Sequence, residues 1–132
     1  MGKKRSPRVA LVVDDSMLVR HCVSRFLEQR GFSVTAATNG VDAMEKLCEL
    51  HVDLVVTDMQ MPHMSGSELI RELKKTPATA AIPIIIVTGR RPDEDPQEGA
   101  DYSIYKDIDI ESQLGAALIE IFGKSASAGA GK

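Results

Sequence analysis

The chain contains no tryptophan and little cysteine, with only Cys22 and Cys48 among its 132 residues. Two cysteines are too few for the disulfide framework of a small secreted domain, and no cysteine pairs with a histidine at the spacing of a zinc site. Both cysteines fall on the apolar side of stretches with helical spacing. We therefore predict reduced, buried thiols in a cytoplasmic protein.

Long hydrophobic runs are absent as well. The longest apolar segments, such as residues 82–87, are far shorter than the ~20 residues needed to cross a bilayer. After the basic residues at the start of the chain, the apolar stretch 9–13 is too short for the central region of a signal peptide. We expect neither a membrane span nor export.

The chain also lacks an excess of basic charge. Its 16 basic and 19 acidic residues give a net charge of −3, and the basic residues form no stripe along the sequence. A domain that coats nucleic acid needs clustered lysine and arginine to neutralise phosphates. The charge balance therefore predicts no direct binding of nucleic acid.

What is present is the composition of one globular domain, with 43% hydrophobic and 27% charged residues. A chain of this size buries about two thirds of its unfolded surface, which suffices for a core without disulfides. Short runs rich in valine and isoleucine alternate with longer stretches of helical spacing, and this alternation is typical of α/β proteins. The predicted strands are residues 9–13, 32–36, 54–58, 83–88 and 102–105. The predicted helices are residues 17–30, a stretch after Asn39-Gly40, a stretch after Gly66, and residues 110–122.

One stretch departs from this alternation. Residues 90–98 stand where a fourth helix is expected, yet they contain no aliphatic residue and two prolines, Pro92 and Pro96. Pro92 is compatible with a helix start, but Pro96 would break the helix because it lacks an N–H and its ring clashes with the preceding turn. We predict that this helix is shortened or replaced by a loop.

Polar side chains follow the predicted strands at the points where these strands end. Asp14 and Asp15 follow the first strand, Asp58 ends the third, Thr88 ends the fourth and Lys106 follows the fifth. The carboxyl ends of parallel strands meet at one edge of a doubly wound sheet, where ligands bind. We therefore expect three acids, a hydroxyl and an ammonium at a single site.

These acids favour a metal. A single aspartate at a strand end is more often a helix cap than a ligand, so the joint occurrence carries the argument. Three crowded carboxylates repel one another unless a cation lies among them. Oxygen ligands with room for several waters suit Mg²⁺.

The segments around these residues match a known pattern. They are Val-Val-Asp-Asp-Ser at 12–16, the D-x-x-M-P-x-M-x-G motif at 58–66, Val-Thr-Gly at 87–89, and Gly-Ala-Asp at 99–101 leading to Lys106. On these motifs the chain resembles the receiver domain of two-component response regulators, a bacterial type of signalling protein. The resemblance implies a flavodoxin-like parallel sheet of five strands in the order 2-1-3-4-5, with helices on both faces.

The resemblance covers residues 8–123. We expect residues 1–7 to be a flexible N-terminus. Residues 124–132 are small and of low complexity, which is typical of a disordered tail or the start of a linker.

The resemblance assigns roles in a phosphorelay. Asp58 is implied to be the phosphoacceptor, which takes its phosphoryl group from a phosphohistidine on a histidine kinase or a histidine phosphotransfer protein. Lys106 and the hydroxyl of Thr88 are implied to contact phosphoryl oxygens, and movement of Thr88 switches the surface of the last two strands and the last helix. A downstream effector or a second copy of the domain would read that surface.

The resemblance also implies a Mg²⁺ site held by Asp14, Asp15, Asp58 and the backbone carbonyl of Gln60. It implies a signalling domain that catalyses only its own phosphotransfer and dephosphorylation, rather than an enzyme with a separate substrate. A phosphatase of the haloacid type would need a second acid two residues after its nucleophile, where this chain has Gln60.

Two positions depart from the family pattern. Ser103 stands where receivers place a switch aromatic, and Asp107 replaces the proline that follows the lysine in a cis peptide. A cis bond before a residue other than proline costs ~3 kcal/mol, so we expect a trans bond here. These departures favour an alternative, a pseudo-receiver that acts as an interaction module without phosphorylation. The complete acid set, Thr88 and Lys106 oppose it.

Overall fold

The computed structural model describes residues 8–59, 65–88, 101–105 and 109–123. Within them the chain forms one parallel sheet of five strands in the order β2-β1-β3-β4-β5, which confirms the predicted order. The strands are β1 (Val9–Val13), β2 (Ser33–Ala37), β3 (Leu54–Asp58), β4 (Ile84–Thr88) and β5 (Tyr102–Tyr105). The helices are α1 (Met17–Gln29), α2 (Gly40–Glu49), α3 (Gly66–Lys75) and α4 (Ile110–Phe122).

The strand register brings the ends of the central strands level. Val13 of β1 pairs with Thr57 of β3, so the next residue of each strand, Asp14 and Asp58, lies at the same height. Asp58 in turn pairs with Val87 of β4. Since the chain turns one way after β1 and the other way after β3, this edge is where the connections diverge and leave a crevice.

Helices cover both faces of the sheet, as predicted. On one face, Val56 and Ile85 of the central strands pack with buried residues of α1 and α4, among them Phe26 and Leu118. On the other face, Val55 and the neighbouring strands pack with α2 and α3. Every residue of β3 and β4 is buried, which explains why these strands are continuous apolar runs rather than alternating ones.

The helix caps follow the sequence. The Ser16 hydroxyl accepts from the N–H of Val19 (3.3 Å), which fixes the start of α1 directly after the acids. Gly31 follows α1 with φ +91°, a left-handed conformation that glycine adopts without strain. Ser65 and Glu68 form a reciprocal capping box at the start of α3.

One prediction about the cysteines is wrong. Cys48 is exposed, because the buried side of α2 is formed by Ala43, Met44 and Leu47 and Cys48 falls beside this stripe. Cys22 on α1 is half-buried, and burial raises its pKa, with smaller contributions from the charges of Glu111 and Asp109. Neither thiol is in a disulfide.

Some predictions fall on other parts of the chain. The loop predicted over residues 90–98, the trans bond before Asp107, the N-terminus 1–7 and the tail 124–132 all lie outside the described residues. None of the helices in the described ranges combines the length and the apolar character needed to cross a bilayer.

Candidate functional site

Three carboxylates converge at the carboxyl edge of the sheet. Asp14, Asp15 and Asp58 each place one carboxylate oxygen within 4.8 Å of the others. Asp14 and Asp58 are 1% and 4% exposed, whereas Asp15 is exposed to solvent. The cluster therefore has two acids at its base and one at its mouth, and it is open to a ligand arriving from solvent.

Asp14 is held by both its backbone and its side chain. Its N–H donates to the Ala37 carbonyl (3.1 Å), which extends the pairing of β1 with β2 by one residue. Its carboxylate oxygen Oδ1 accepts from the N–H of Ser16 (2.8 Å), and its main-chain carbonyl accepts from Arg20 Nη1 (2.9 Å). These contacts fix the acid at the base of the site and bring a guanidinium charge close to it.

Asp58 is placed by its strand. It is the last residue of β3, and all five residues of this strand are buried between β1 and β4. Beyond it, the N–H of Gly66 donates to the Met59 carbonyl (2.9 Å), so that α3 begins directly beside the end of β3. The glycine that closes the D-x-x-M-P-x-M-x-G motif is thus in contact with the strand end.

Thr88 lies at the same edge. It is the last residue of β4, one position beyond the residue that pairs with Asp58, and it is 8% exposed. On the next strand, Tyr105 pairs with Thr88 and Ser103 pairs with Ile86, and both Tyr105 and Ser103 are half-buried.

The end of β5 is fastened by a residue that the sequence did not indicate. The Gln113 side chain of α4 accepts from the Tyr105 N–H (3.0 Å) and donates to the Tyr105 carbonyl (2.9 Å). The amide thus binds the backbone as a neighbouring strand would. This contact fixes the chain immediately before Lys106, which itself lies outside the described residues, as does Gln60.

The charge of the cluster favours a hard cation. Two unit charges about 4.8 Å apart repel by roughly 1 to 3 kcal/mol, depending on the local dielectric. A divalent ion among the three oxygens turns this repulsion into attraction, and an all-carboxylate donor set is the one that Mg²⁺ and related ions prefer. The residues present therefore fit a metal of this class.

The family follows from comparison with known proteins. The family model of the response regulator receiver domain matches residues 10–118. The chain belongs to this family. It is a receiver domain of the kind found in two-component response regulators, and the resemblance inferred from its motifs is confirmed.

Individual relatives agree. The chain is 41% identical over 91 residues to a gliding motility regulatory protein of Myxococcus xanthus, a match that covers 69% of this chain and 12% of that protein. It is 34% identical over 108 residues to the protein PilH of Pseudomonas aeruginosa, covering 79% and 89% of the two chains. The crystal structure of the chemotaxis protein CheY4 of Vibrio cholerae at low pH superposes with a TM-score of 0.80 at 28% identity, covering 87% and 98%.

The relatives differ in length. The chain spans between 12% and 51% of the length of five curated relatives that it matches. In those proteins the receiver is thus one part of a longer polypeptide.

The sequence and the structure agree on the centre of the site. Asp14, Asp15 and Asp58 are brought together and Thr88 lies at the same edge. Arg20 was not predicted from the sequence. An arginine one and a half helical turns after the acid pair is a signal only when the helix is known to begin at Met17 and its side chains are known to point back toward the first turn.

Proposed function

We propose that this receiver domain accepts a phosphoryl group on Asp58, with Mg²⁺, from a phosphohistidine of a histidine kinase or a histidine phosphotransfer protein in the cytoplasm. The observation that carries the proposal is the convergence of three carboxylate oxygens within 4.8 Å at the carboxyl edge of the sheet. Family membership supports it independently.

Mg²⁺ suits these residues because the donors are carboxylates and one of them is exposed. Asp14, Asp15 and Asp58 hold the ion in this proposal, together with the backbone carbonyl of Gln60. When bound, the ion neutralises charge on the phosphoryl oxygens while the group moves between donor and acceptor. Asp14 would hold it from the buried side of the cluster and Asp15 from the exposed side.

The chemical step uses Asp58 as a nucleophile. One of its carboxylate oxygens attacks phosphorus, an O–P bond forms, and the N–P bond of the phosphohistidine breaks with its electron pair passing to the imidazole nitrogen. The product is an acyl phosphate on Asp58. Burial of this side chain on β3 keeps its position fixed during the transfer, which lowers the entropic cost of the step.

Two other residues stabilise the product in this proposal. The Thr88 hydroxyl and the Lys106 ammonium contact phosphoryl oxygens, and Thr88 is supported in this role by its place one residue beyond the partner of Asp58. Movement of Thr88 alters the surface of β4, β5 and α4, which an effector protein or a second copy of the domain reads. Water later cleaves the acyl phosphate, and this return to the resting state is the domain's own dephosphorylation.

The first experiment measures the intact mass after incubation with acetyl phosphate and Mg²⁺. The matched variants are Asp58→Asn, at the last residue of β3, and Asp53→Asn, at the residue directly before this strand. We expect the parent and Asp53→Asn to gain one phosphoryl group, Asp58→Asn to gain none, and a chelator to prevent the gain in the parent and in Asp53→Asn.

A parent that gains no phosphoryl group under conditions that label an ordinary receiver would contradict the proposal. The domain would then be a phosphorylation-independent interaction module. A histidine phosphotransfer protein carrying labelled phosphohistidine tests the physiological donor class, and transfer of label to the parent but not to Asp58→Asn is the expected result.

A further inference from the structure

The main-chain carbonyl of Asp58 is contacted by a residue that the proposed chemistry does not use. The Thr57 hydroxyl donates to this carbonyl at 3.0 Å. Thr57 is fully buried, and because side chains alternate along a strand, it leaves β3 on the face opposite to Asp58. A buried hydroxyl destabilises the folded chain unless it is hydrogen-bonded. The Thr57 hydroxyl makes its hydrogen bond to the main chain of Asp58.

Gly66 packs tightly against the same carbonyl oxygen. A Cβ atom at this position would lie 2.4 Å from the Asp58 carbonyl oxygen and 2.9 Å from Met59 Cα. Both are main-chain atoms, so no side-chain rotation relieves the clash. Since real Cβ atoms essentially never approach closer than 3.0 Å, any side chain at position 66 requires a shift of at least about 0.6 Å between α3 and the end of β3.

Both elements are anchored. The first turn of α3 is fixed by the capping box of Ser65 and Glu68, and its inner face buries Leu69, Ile70 and Leu73 in the core. Asp58 pairs with Val87 of β4, and Met59 is buried in the same core as α3. Because neither element moves freely, a clash at position 66 strains the main chain of Asp58, whose carbonyl oxygen it meets.

We propose that Thr57 and Gly66 are positioning residues, which fix the main chain of Asp58 and thereby hold its carboxylate opposite Asp14 and Asp15. The inference rests on the proposed function of the same site. Its physical basis is that a metal and phosphoryl site tolerates displacements of only about 0.5 Å, whereas a misplacement of about 1 Å costs on the order of a hundredfold in rate.

The test compares two glycine substitutions in the full chain. Gly66→Ala forces the clash, whereas Gly115→Ala, the control, adds a Cβ whose nearest neighbour is a Phe26 ring atom at an ordinary 3.6 Å. We would measure the Mg²⁺ dissociation constant by calorimetry, well below the melting temperature, and the labelling rate with acetyl phosphate. Gly66→Ala should weaken Mg²⁺ binding by about tenfold or more and slow labelling on the order of a hundredfold. Gly115→Ala should stay within about twofold of the parent, the usual range for a surface change away from the site.

A second pair of variants isolates the hydroxyl. Thr57→Val keeps the shape and removes the donor, and it should slow labelling about threefold to tenfold, the equivalent of one hydrogen bond. Thr57→Ser restores the hydroxyl and should recover most of the parental rate. A purely structural role would change the melting temperature and leave the behaviour of the folded protein unchanged, so each rate is measured where the variant is fully folded.

The outcomes separate this inference from the proposed function. If the parent binds Mg²⁺ but gains no phosphoryl group, the proposed function fails, and the ratio of the Gly66→Ala and Gly115→Ala dissociation constants still decides the positioning role. If the parent is labelled and Gly66→Ala matches Gly115→Ala in both measurements, the positioning role of Gly66 is wrong.

If Gly66→Ala does not fold, the Thr57 pair decides, and equal rates for Thr57→Val and Thr57→Ser overturn the inference. A parent that neither binds Mg²⁺ nor is labelled contradicts both.

Discussion

The two ends of the sheet use the same residue type in opposite ways. At the amino end, Asp53 donates its N–H to the Val9 carbonyl (2.7 Å) and accepts from the Val9 N–H through its carboxylate (2.8 Å). Asp101 makes the same two contacts with Ile84, both at 2.8 Å. Each of these acids thereby satisfies the first backbone groups of a neighbouring strand.

At the carboxyl end, by contrast, the aspartates face one another. Asp14, Asp15 and Asp58 bring their oxygens within 4.8 Å, where their charges repel. The amino-end acids stabilise the folded chain by pairing backbone groups, as Asp14 also does with the Ser16 N–H. The carboxyl-end acids in addition bring like charges together, which favours a cation among them. Position in the sheet, rather than residue type, thus decides whether an aspartate lies beside unpaired backbone groups or beside other acids.

The largest change in labelling rate among these predictions is expected from replacing Asp15, the exposed acid of the cluster. Asp15→Asn removes one charged ligand and should slow labelling with acetyl phosphate by about a hundredfold, because the cation that stabilises the phosphoryl group is held less tightly. The rate is read from intact masses over time. Asp53→Asn is the control at the other end and should keep the parental rate. A parental rate in Asp15→Asn would remove this acid from the site.

Mg²⁺ should stabilise the fold through the carboxyl-end acids alone. At a concentration about 100 times the dissociation constant, binding adds about 2.7 kcal/mol to the free energy of unfolding, which corresponds to a rise of roughly 10 °C in the melting temperature. The shift should shrink strongly in Asp58→Asn and persist in Asp101→Ala. Equal shifts in these two variants would place the ion elsewhere.

Removing an amino-end carboxylate should lower stability without touching the chemistry. Asp53→Ala leaves the Val9 N–H without its side-chain acceptor and should cost about 1 to 2 kcal/mol in urea unfolding. Asp53→Asn keeps an oxygen acceptor and should recover most of the loss. If Asp53→Ala unfolds like the parent, or is labelled more slowly, the division between the two ends is wrong.

The smallest effect on stability is expected at Asp109, a carboxylate that belongs neither to the amino-end acids nor to the carboxyl-end acids. Asp109 caps α4 and is bonded by the Ser112 hydroxyl and by the N–H groups of Ser112 and Glu111. These bonds, the Ser112 hydroxyl first, lower the pKa of Asp109. Because the folded pKa lies below the unfolded one, the contribution to stability is complete above the unfolded pKa and is lost as pH falls through the folded pKa.

Ser112→Ala should move the pKa of Asp109 back up toward its ordinary value. The carboxyl resonance of Asp109, followed by NMR through an acid titration, measures this directly. An unchanged titration in the variant would show that the hydroxyl is not the main cause.

The sequence predicts the frame of the molecule because its signals are local. Runs such as 54–58 are buried on both faces and therefore read as strands, and their polar ends fall at one edge once the strands are parallel. The acid cluster was predictable for the same reason, since Asp14 and Asp58 each follow such a run.

Contacts set by tertiary register were not predictable. Asp53 is hydrogen-bonded to a residue 44 positions away and Asp101 to one 17 positions away. The hydrophobic pattern of neighbouring residues does not indicate contacts between such distant positions. The exposure of Cys48 was missed because helical spacing gives the direction of an apolar stripe, and the extent to which the sheet covers that stripe depends on where α2 lies. The clash at Gly66 likewise depends on how closely α3 approaches β3.

In the proposed function, the carboxyl-end acids form a phosphoacceptor site with Asp58 as the nucleophile. The most direct measurement locates the phosphoryl group: the chain is incubated with acetyl phosphate and Mg²⁺, reduced with borohydride, digested and sequenced by mass spectrometry. Borohydride converts an aspartyl phosphate to homoserine. We expect homoserine at position 58 and at no other aspartate, and none when Mg²⁺ is chelated. Homoserine at Asp14, Asp15 or Asp53, or no conversion in a chain that retains its fold, would contradict the proposed function.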